Sequence, residues 1–193
     1  MISLPFRRSS QPASIDALYG MIVAQARSAV FYRDYGVPDT VDGRLDMILL
    51  HLVLLLRQLA KNHGLAVGMM PPVAKRVFDR FCRDIDDNFR EMGVGDLTVP
   101  KKMRSVAEAF YGRAKVYENA LADDNVAVLE AAVARNVFGA SEPLFGAVRL
   151  AAYMREASRR LGALAPGALE RAEFYFPDPA TEATFLAPRS ADP

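Results

Sequence analysis

The chain has 193 residues, enough for one domain with a sizeable hydrophobic core. Its 24 lysines and arginines balance 23 aspartates and glutamates, which leaves no global positive field of the kind that binds nucleic acid. The single cysteine, Cys82, excludes an intramolecular disulfide bond, and two histidines are too few for a Cys/His zinc cluster. We therefore predict no metal site, no cofactor and no direct contact with nucleic acid.

The chain starts with MISLPFRRSSQP, in which Arg7 and Arg8 are not followed by the apolar stretch of a secretory signal. We expect residues 1–12 to be a flexible N-terminus and residues 13–172 to form one helical domain. Apolar residues recur at helical spacing across this domain, and no long alternating stretch predicts strands. The predicted fold class is all-α, a single-domain bundle of about six helices at 13–28, 40–62, 72–92, 100–122, 124–138 and 142–163.

The second predicted helix is apolar on every side over residues 47–56, MILLHLVLLL. As a helix this run would extend about 15 Å, half of the hydrocarbon thickness of a bilayer, so it does not predict a membrane span. It is either the central helix of the bundle or a helix that offers one face to a partner. His51 has no second histidine or nucleophile beside it at helical spacing, which predicts a core histidine with a hydrogen-bond partner.

The third predicted helix has one apolar face, made of Val73, Val77, Phe81, Ile85, Phe89 and Met92. The acidic side chains opposite this face allow two interpretations, a magnesium-pyrophosphate site or an exposed face with ion pairs. Three acid–arginine pairs are spaced four residues apart: Arg80 with Asp84, Arg83 with Asp87, and Asp86 with Arg90. This alternation of charge favours the exposed face.

The segment EMGVGDLTVPKK connects the third and fourth predicted helices. Gly93 follows the last apolar residue of the third helix, a position where a left-handed glycine commonly ends a helix. Lys101 and Lys102 lie in the first turn of the fourth helix, where positive charge opposes the helix dipole. Such a mismatch is found both in solvated lysines and in surfaces that meet an anionic partner.

The C-terminal part of the chain differs in composition from the helical domain. From residue 166 onward, PGALERAEFYFPDPATEATFLAPRSADP is rich in proline and alanine. We expect residues 173–193 to be a loosely ordered tail.

Four segments resemble the ubiquinol-cytochrome c chaperone family, in the same order along the chain. They are YGMIVAQAR at 19–27, FYRDYGVPDTVDGRLDMILLHLVLLLRQL at 31–59, REMGVGDLTVPKKM at 90–103 and AEAFYGRAKVYENAL at 107–121. Members of this family assist the assembly of the respiratory cytochrome bc1 complex. The resemblance implies an all-helical assembly factor without enzymatic activity.

The resemblance also implies partners and a location. The implied client is newly made cytochrome b, with the ribosome or a small helper protein as further partners. The implied location is cytoplasmic and peripheral to the inner respiratory membrane, in the bacterial branch of the family.

We predict a partner-binding surface at the connection between the third and fourth helices, together with positions of the second and fourth helices. Methionine suits surfaces that repack around partners of different shape. The predicted residues are Met92, Gly93, Val94, Gly95, Asp96, Lys101, Lys102, Phe110, Tyr111 and His51.

Two other function classes stay open. The acidic segment RDIDDNFRE suggests a helical enzyme of isoprenoid type, and the apolar second helix suggests a carrier of a lipid or a quinone. The sequence contains no phosphate-binding glycine loop, redox pair or nucleophile–base arrangement that supports catalysis. We therefore predict that the protein is not an enzyme.

Overall fold

The computed structural model describes residues 15–65, 69–142 and 144–181. These residues form an all-α bundle without strands, as the sequence predicts. Its helices are α1 (Ile15–Ala26), α2 (Ala29–Arg33), α3 (Val41–Asn62), α4 (Pro72–Glu91), α5 (Val99–Ala122), α6 (Val126–Val137) and α7 (Phe145–Gly162). The expected flexible N-terminus, 1–12, lies outside the described residues.

Helix α2 was not predicted. It contains five residues, AVFYR, and no side chain caps its N-terminus. A helix of this length has too few turns to show an apolar period, and an isolated one would be unstable in water. The buried side chain of Phe31 holds it against the core.

Helix α3 is the central helix of the bundle. It packs against α1, α4, α5, α6 and α7. Every residue from 47 to 56 is buried, which confirms the first of the two interpretations of this apolar run. Because each buried leucine or isoleucine contributes about 1.5–3 kcal/mol, this helix supplies a large share of the core.

Helix α4 buries one face and exposes the other, as predicted, with one correction. Met92 was assigned to the apolar face, but it caps the C-terminus of α4 and is exposed, because the helix ends at Glu91. Arg90 pairs with Asp86 at 2.8 Å and Arg80 with Asp84 at 3.5 Å. The described side chains of Arg83 and Asp87 form no such pair.

The segment after α7 returns across the bundle. Its side chains Phe174 and Phe176 are buried in the core. Gln25 donates a hydrogen bond to the carbonyl of Pro177 at 2.9 Å, and Tyr35 donates one to the carbonyl of Pro179 at 2.9 Å. Residues 173–179 of the expected loose tail are thus attached to the core, whereas residues 182–193 lie outside the described residues.

Candidate functional site

A tight loop at 92–98 connects α4 to α5. Gly93 adopts a φ of 77° and donates its amide hydrogen to the carbonyl of Arg90 at 2.9 Å, so it ends the helix as the sequence predicts. The amide of Val94 donates to the carbonyl of Phe89 at 3.0 Å. These two bonds are the pattern that closes a helix C-terminus, and they point the next residues toward solvent.

The loop exposes apolar side chains. Leu97 is 98% exposed, the largest value among the large hydrophobic side chains that the structure describes, and Met92 is more than half exposed. Sequence reasoning did not select Leu97. The signal available was an apolar residue between Asp96 and Thr98, outside the helical period of either flanking helix.

Charged residues of the loop surface divide into paired and unpaired groups. The carboxylate of Asp96 accepts a hydrogen bond from Arg90 at 2.5 Å, so it anchors the loop to the end of α4. Lys101 and Lys102 are exposed in the first turn of α5. The ammonium group of Lys102 lies 5.4 Å from the centre of the Phe89 ring, a cation–π contact.

His51 does not lie at the surface with the other predicted residues. It is fully buried, its Nδ1 is 2.7 Å from the carbonyl oxygen of Met47, and its Nε2 is 2.9 Å from the hydroxyl of Tyr153. Burial lowers the pKa of the imidazole to about 4. His51 is therefore a neutral core residue, and its assignment to the partner surface is corrected by this burial.

A groove of about 630 Å³ runs between α3 and α5 and contains two of the predicted residues, Phe110 and Tyr111. Phe110 is buried and stacks on Phe78, with ring centres 4.6 Å apart, whereas Tyr111 is 55% exposed. The apolar lining of the groove, which we call the α3–α5 groove, is Val53, Leu56, Ala60, Leu65, Met69, Met70, Phe110, Tyr111 and Ala114.

The groove also contains four charged side chains. Arg57 of α3 and Glu118 of α5 form an ion pair at 2.8 Å, with both side chains largely buried. Arg57 donates a further hydrogen bond to Ser158 of α7 at 2.9 Å, so this pair ties three helices together. Lys61 and Lys115 also line the groove, and both are exposed.

One acidic residue of α4, Asp84, links this helix to α1. Asp84 accepts a hydrogen bond from the hydroxyl of Tyr19 at 2.9 Å and pairs with Arg80. Over the described ranges, no group of three or more potential metal ligands comes together.

No helix in the same ranges is long and apolar enough to span a membrane. Burial raises the pKa of the Cys82 thiol, which does not favour the reactive thiolate.

Comparison with known proteins identifies the family. The model of the family described as ubiquinol-cytochrome C chaperone matches residues 33–176. The chain belongs to this family. The matched range contains all of α3 to α7, and therefore both the loop at 92–98 and the α3–α5 groove lie in the part of the chain that the ubiquinol-cytochrome c chaperone family shares.

One similar solved structure is the crystal structure of the Cbp3 homolog from Brucella abortus. That protein is 32% identical to the present chain, and the match covers 86% of this chain and 90% of the other, with a TM-score of 0.73. A comparison with curated proteins gave no match.

Proposed function

We propose that this member of the ubiquinol-cytochrome c chaperone family binds newly made cytochrome b and keeps it competent for assembly into the bc1 complex. The observation that carries the proposal is the α3–α5 groove, an apolar depression on a bundle whose family is defined by chaperone activity. A client with transmembrane helices exposes apolar surface before assembly. A groove between two helices is a common receptor for one apolar helix.

The loop at 92–98 and the first turn of α5 form a second part of this proposed surface. Lys101, Tyr111 and Lys115 are all exposed on α5. Their spacing places them within one face of the helix, and Lys101 and Tyr111 are about 15 Å apart along its axis. The surface would therefore extend from the apolar loop tip at Leu97 to the groove.

The location follows from the proposed client. Cytochrome b is made for the respiratory membrane, so we place the chaperone in the cytoplasm, peripheral to the inner membrane. The similarity to a bacterial homolog supports the bacterial branch. The ribosome or a small helper protein remains a proposed further partner.

Capture of cytochrome b by the purified chaperone tests this proposal. We expect the triple variant Asp96→Ala, Lys101→Ala, Lys102→Ala to retain about fivefold to tenfold less cell-free synthesised cytochrome b, because it loses two exposed cations and the loop anchor. The readout is the amount of labelled client that co-purifies in mild detergent.

A matched control removes the same charges elsewhere. Arg76, Arg83 and Asp87 are exposed on α4 and form no ion pair with the described residues, so their replacement by alanine should leave capture unchanged. Equal capture by the Asp96/Lys101/Lys102 variant and the wild type, with circular dichroism spectra that agree, would refute the role of the loop.

A second candidate function is a lipid or quinone carrier. The volume of the α3–α5 groove, about 630 Å³, lies within the range of small-molecule sites. Native mass spectrometry of the purified chain decides between the two, because a carrier would retain one lipid or quinone per chain. The proposal of a chaperone includes no catalytic step.

A further inference from the structure

The charges of the α3–α5 groove do not cancel. Three cationic side chains, Arg57, Lys61 and Lys115, meet one carboxylate, Glu118, which gives a net charge of +2 at neutral pH. Glu118 is already engaged by Arg57 at 2.8 Å. Among the described residues, no carboxylate comes within 4 Å of the ammonium group of Lys61 or of Lys115.

The local sequence does not explain both lysines. Lys61 lies in the last turn of α3, where the helix dipole favours a cation. Lys115 lies in the middle of α5, where its neighbours four residues away are Tyr111 and Asn119. Neither of these neighbours is acidic, and the carboxylate three residues on, Glu118, is paired with Arg57 at 2.8 Å, so Lys115 has no helical ion pair of its own. Its charge is available to a molecule in the groove.

We propose that the α3–α5 groove holds an apolar helix that carries an acidic side chain, with the carboxylate bound by Lys61 and Lys115. This inference rests on the proposed chaperone function and specifies the segment of the client that is recognised. Carboxylates in transmembrane helices pair with other groups in the assembled protein. In a newly made segment the carboxylate has no partner, and the two lysines supply one.

The apolar walls fit a helix better than an acyl chain. Val53, Leu56 and Phe110 form a buried floor, whereas Met69 on the rim is 56% exposed and Tyr111 is 55% exposed. A single acyl chain on this floor would leave the rim in water, but the wider surface of a helix contacts both floor and rim. Met69 and Met70 adapt to side chains of different shape.

Binding of three labelled peptides to the full chain tests the inference. Each is an 18-residue helix of leucine, alanine and serine, and they differ at one central position, which is Glu, Gln or Lys. We expect the wild type to bind the Glu peptide about five- to tenfold more tightly than the Lys peptide, as measured by fluorescence anisotropy at 0.1 M salt. The double variant Lys61→Glu, Lys115→Glu should reverse this preference.

The control is Arg76→Glu, Arg83→Glu, which makes the same change of charge at exposed positions of α4 outside the groove and should keep the wild-type order. Equal affinities of the wild type for the Glu and Lys peptides, or failure to bind any of the three, would overturn the inference. The inference would also be overturned if the wild type bound phosphatidylglycerol vesicles and not the peptides, and if only the Lys61/Lys115 variant lost this binding. That result would identify a lipid headgroup as the anion.

The failure of this inference is separable from that of the proposed function. If the Lys61/Lys115 variant restores cytochrome b in cells that lack the gene as well as the wild type does, the chaperone function stands and the charge recognition is wrong. If the wild-type gene itself has no effect on cytochrome b, the proposed function fails first.

Discussion

His51 illustrates how one buried polar residue is satisfied without charge. Because the carbonyl of Met47 can only accept, Nδ1 of the imidazole must carry the proton, and Nε2 then accepts the hydrogen of the Tyr153 hydroxyl. The hydroxyl oxygen in turn accepts a hydrogen bond from Gln25 at 3.0 Å. This network joins α1, α3 and α7, and it fixes the neutral form of the histidine.

A loss of stability in mild acid follows from this burial. The pKa of His51 is about 4 in the folded protein and 6.5 in the unfolded chain, so protons favour unfolding as pH falls from 6.5 to 4. The loss amounts to roughly 3 kcal/mol, from 1.36 kcal/mol per pKa unit. Urea unfolding of the wild type and of His51→Gln at pH 7 and pH 4.5 measures most of this loss, because pH 4.5 is still above the folded pKa, and the variant should lose less stability between the two pH values.

The wild type and His51→Gln have to be compared because protonation of Asp46 changes the free energy of unfolding in the opposite direction. Burial raises the pKa of Asp46 to about 6, although Arg113 lies 2.5 Å away, so the folded state gains stability from this group as pH falls from 6 to 3.8. His51→Gln leaves that effect unchanged. An identical loss in His51→Gln and the wild type would show that His51 is not responsible.

The sequence predicted the environment of His51 but not its partners. A lone histidine in a run that is apolar on every side has to be buried and hydrogen-bonded. Tyr153 is 102 residues away along the chain, and no local pattern indicates that its hydroxyl faces this imidazole. Leu97 was missed for a related reason, since exposure in a loop has no periodic signal.

At the scale of elements, the long helices were predictable because each has several turns of apolar period and a clear end. Thr40 caps α3 by accepting the amide hydrogen of Gly43 at 3.1 Å, and Gly93 ends α4. The segment after α7 shows the limit of this reasoning. Its proline and alanine content suggested loose structure, but two phenylalanines in a proline-rich stretch carry enough apolar surface to attach it to the core.

A paired substitution tests the attachment of this segment. Phe176 is 8% exposed, and its ring centre lies 5.0 Å from that of His51, so Phe176→Ala should lower the free energy of unfolding by about 3 kcal/mol. Its neighbour Tyr175 is 88% exposed, and Tyr175→Ala should change stability by less than about 0.5 kcal/mol. Urea denaturation measures both. Equal, small effects would mean that the segment does not contribute to the core.

At the scale of the whole molecule, the α3–α5 groove depends on packing that the sequence did not reveal. Phe110 and Tyr111 were predicted as partner-binding residues, and both line the groove. Lys61 and Lys115 were not selected, because their proximity requires the packing of α3 against α5 and the engagement of Glu118 by Arg57. Such long-range arrangements leave no trace in local composition.

The bundle as a whole combines a buried central helix with a groove at its surface. Its central helix, α3, packs against α1, α4, α5, α6 and α7, and buried residues of α3 and α5 form the floor of the groove. In the proposed function, the packed core would hold the shape of the groove and the methionines at its rim would adapt to the client. The Cbp3 homolog from Brucella abortus has a similar fold, with a TM-score of 0.73.

The central claim, that this protein assists bc1 assembly after cytochrome b is transcribed, is tested most directly by deletion of its gene. The measurement is the reduced-minus-oxidised haem spectrum of the membranes, with immunoblotting and transcript quantification for cytochrome b. We predict loss of the b- and c-type haem signals of the bc1 complex and of cytochrome b protein, with a normal transcript, and recovery on return of the wild-type gene. Unchanged haem spectra and unchanged cytochrome b would contradict the claim.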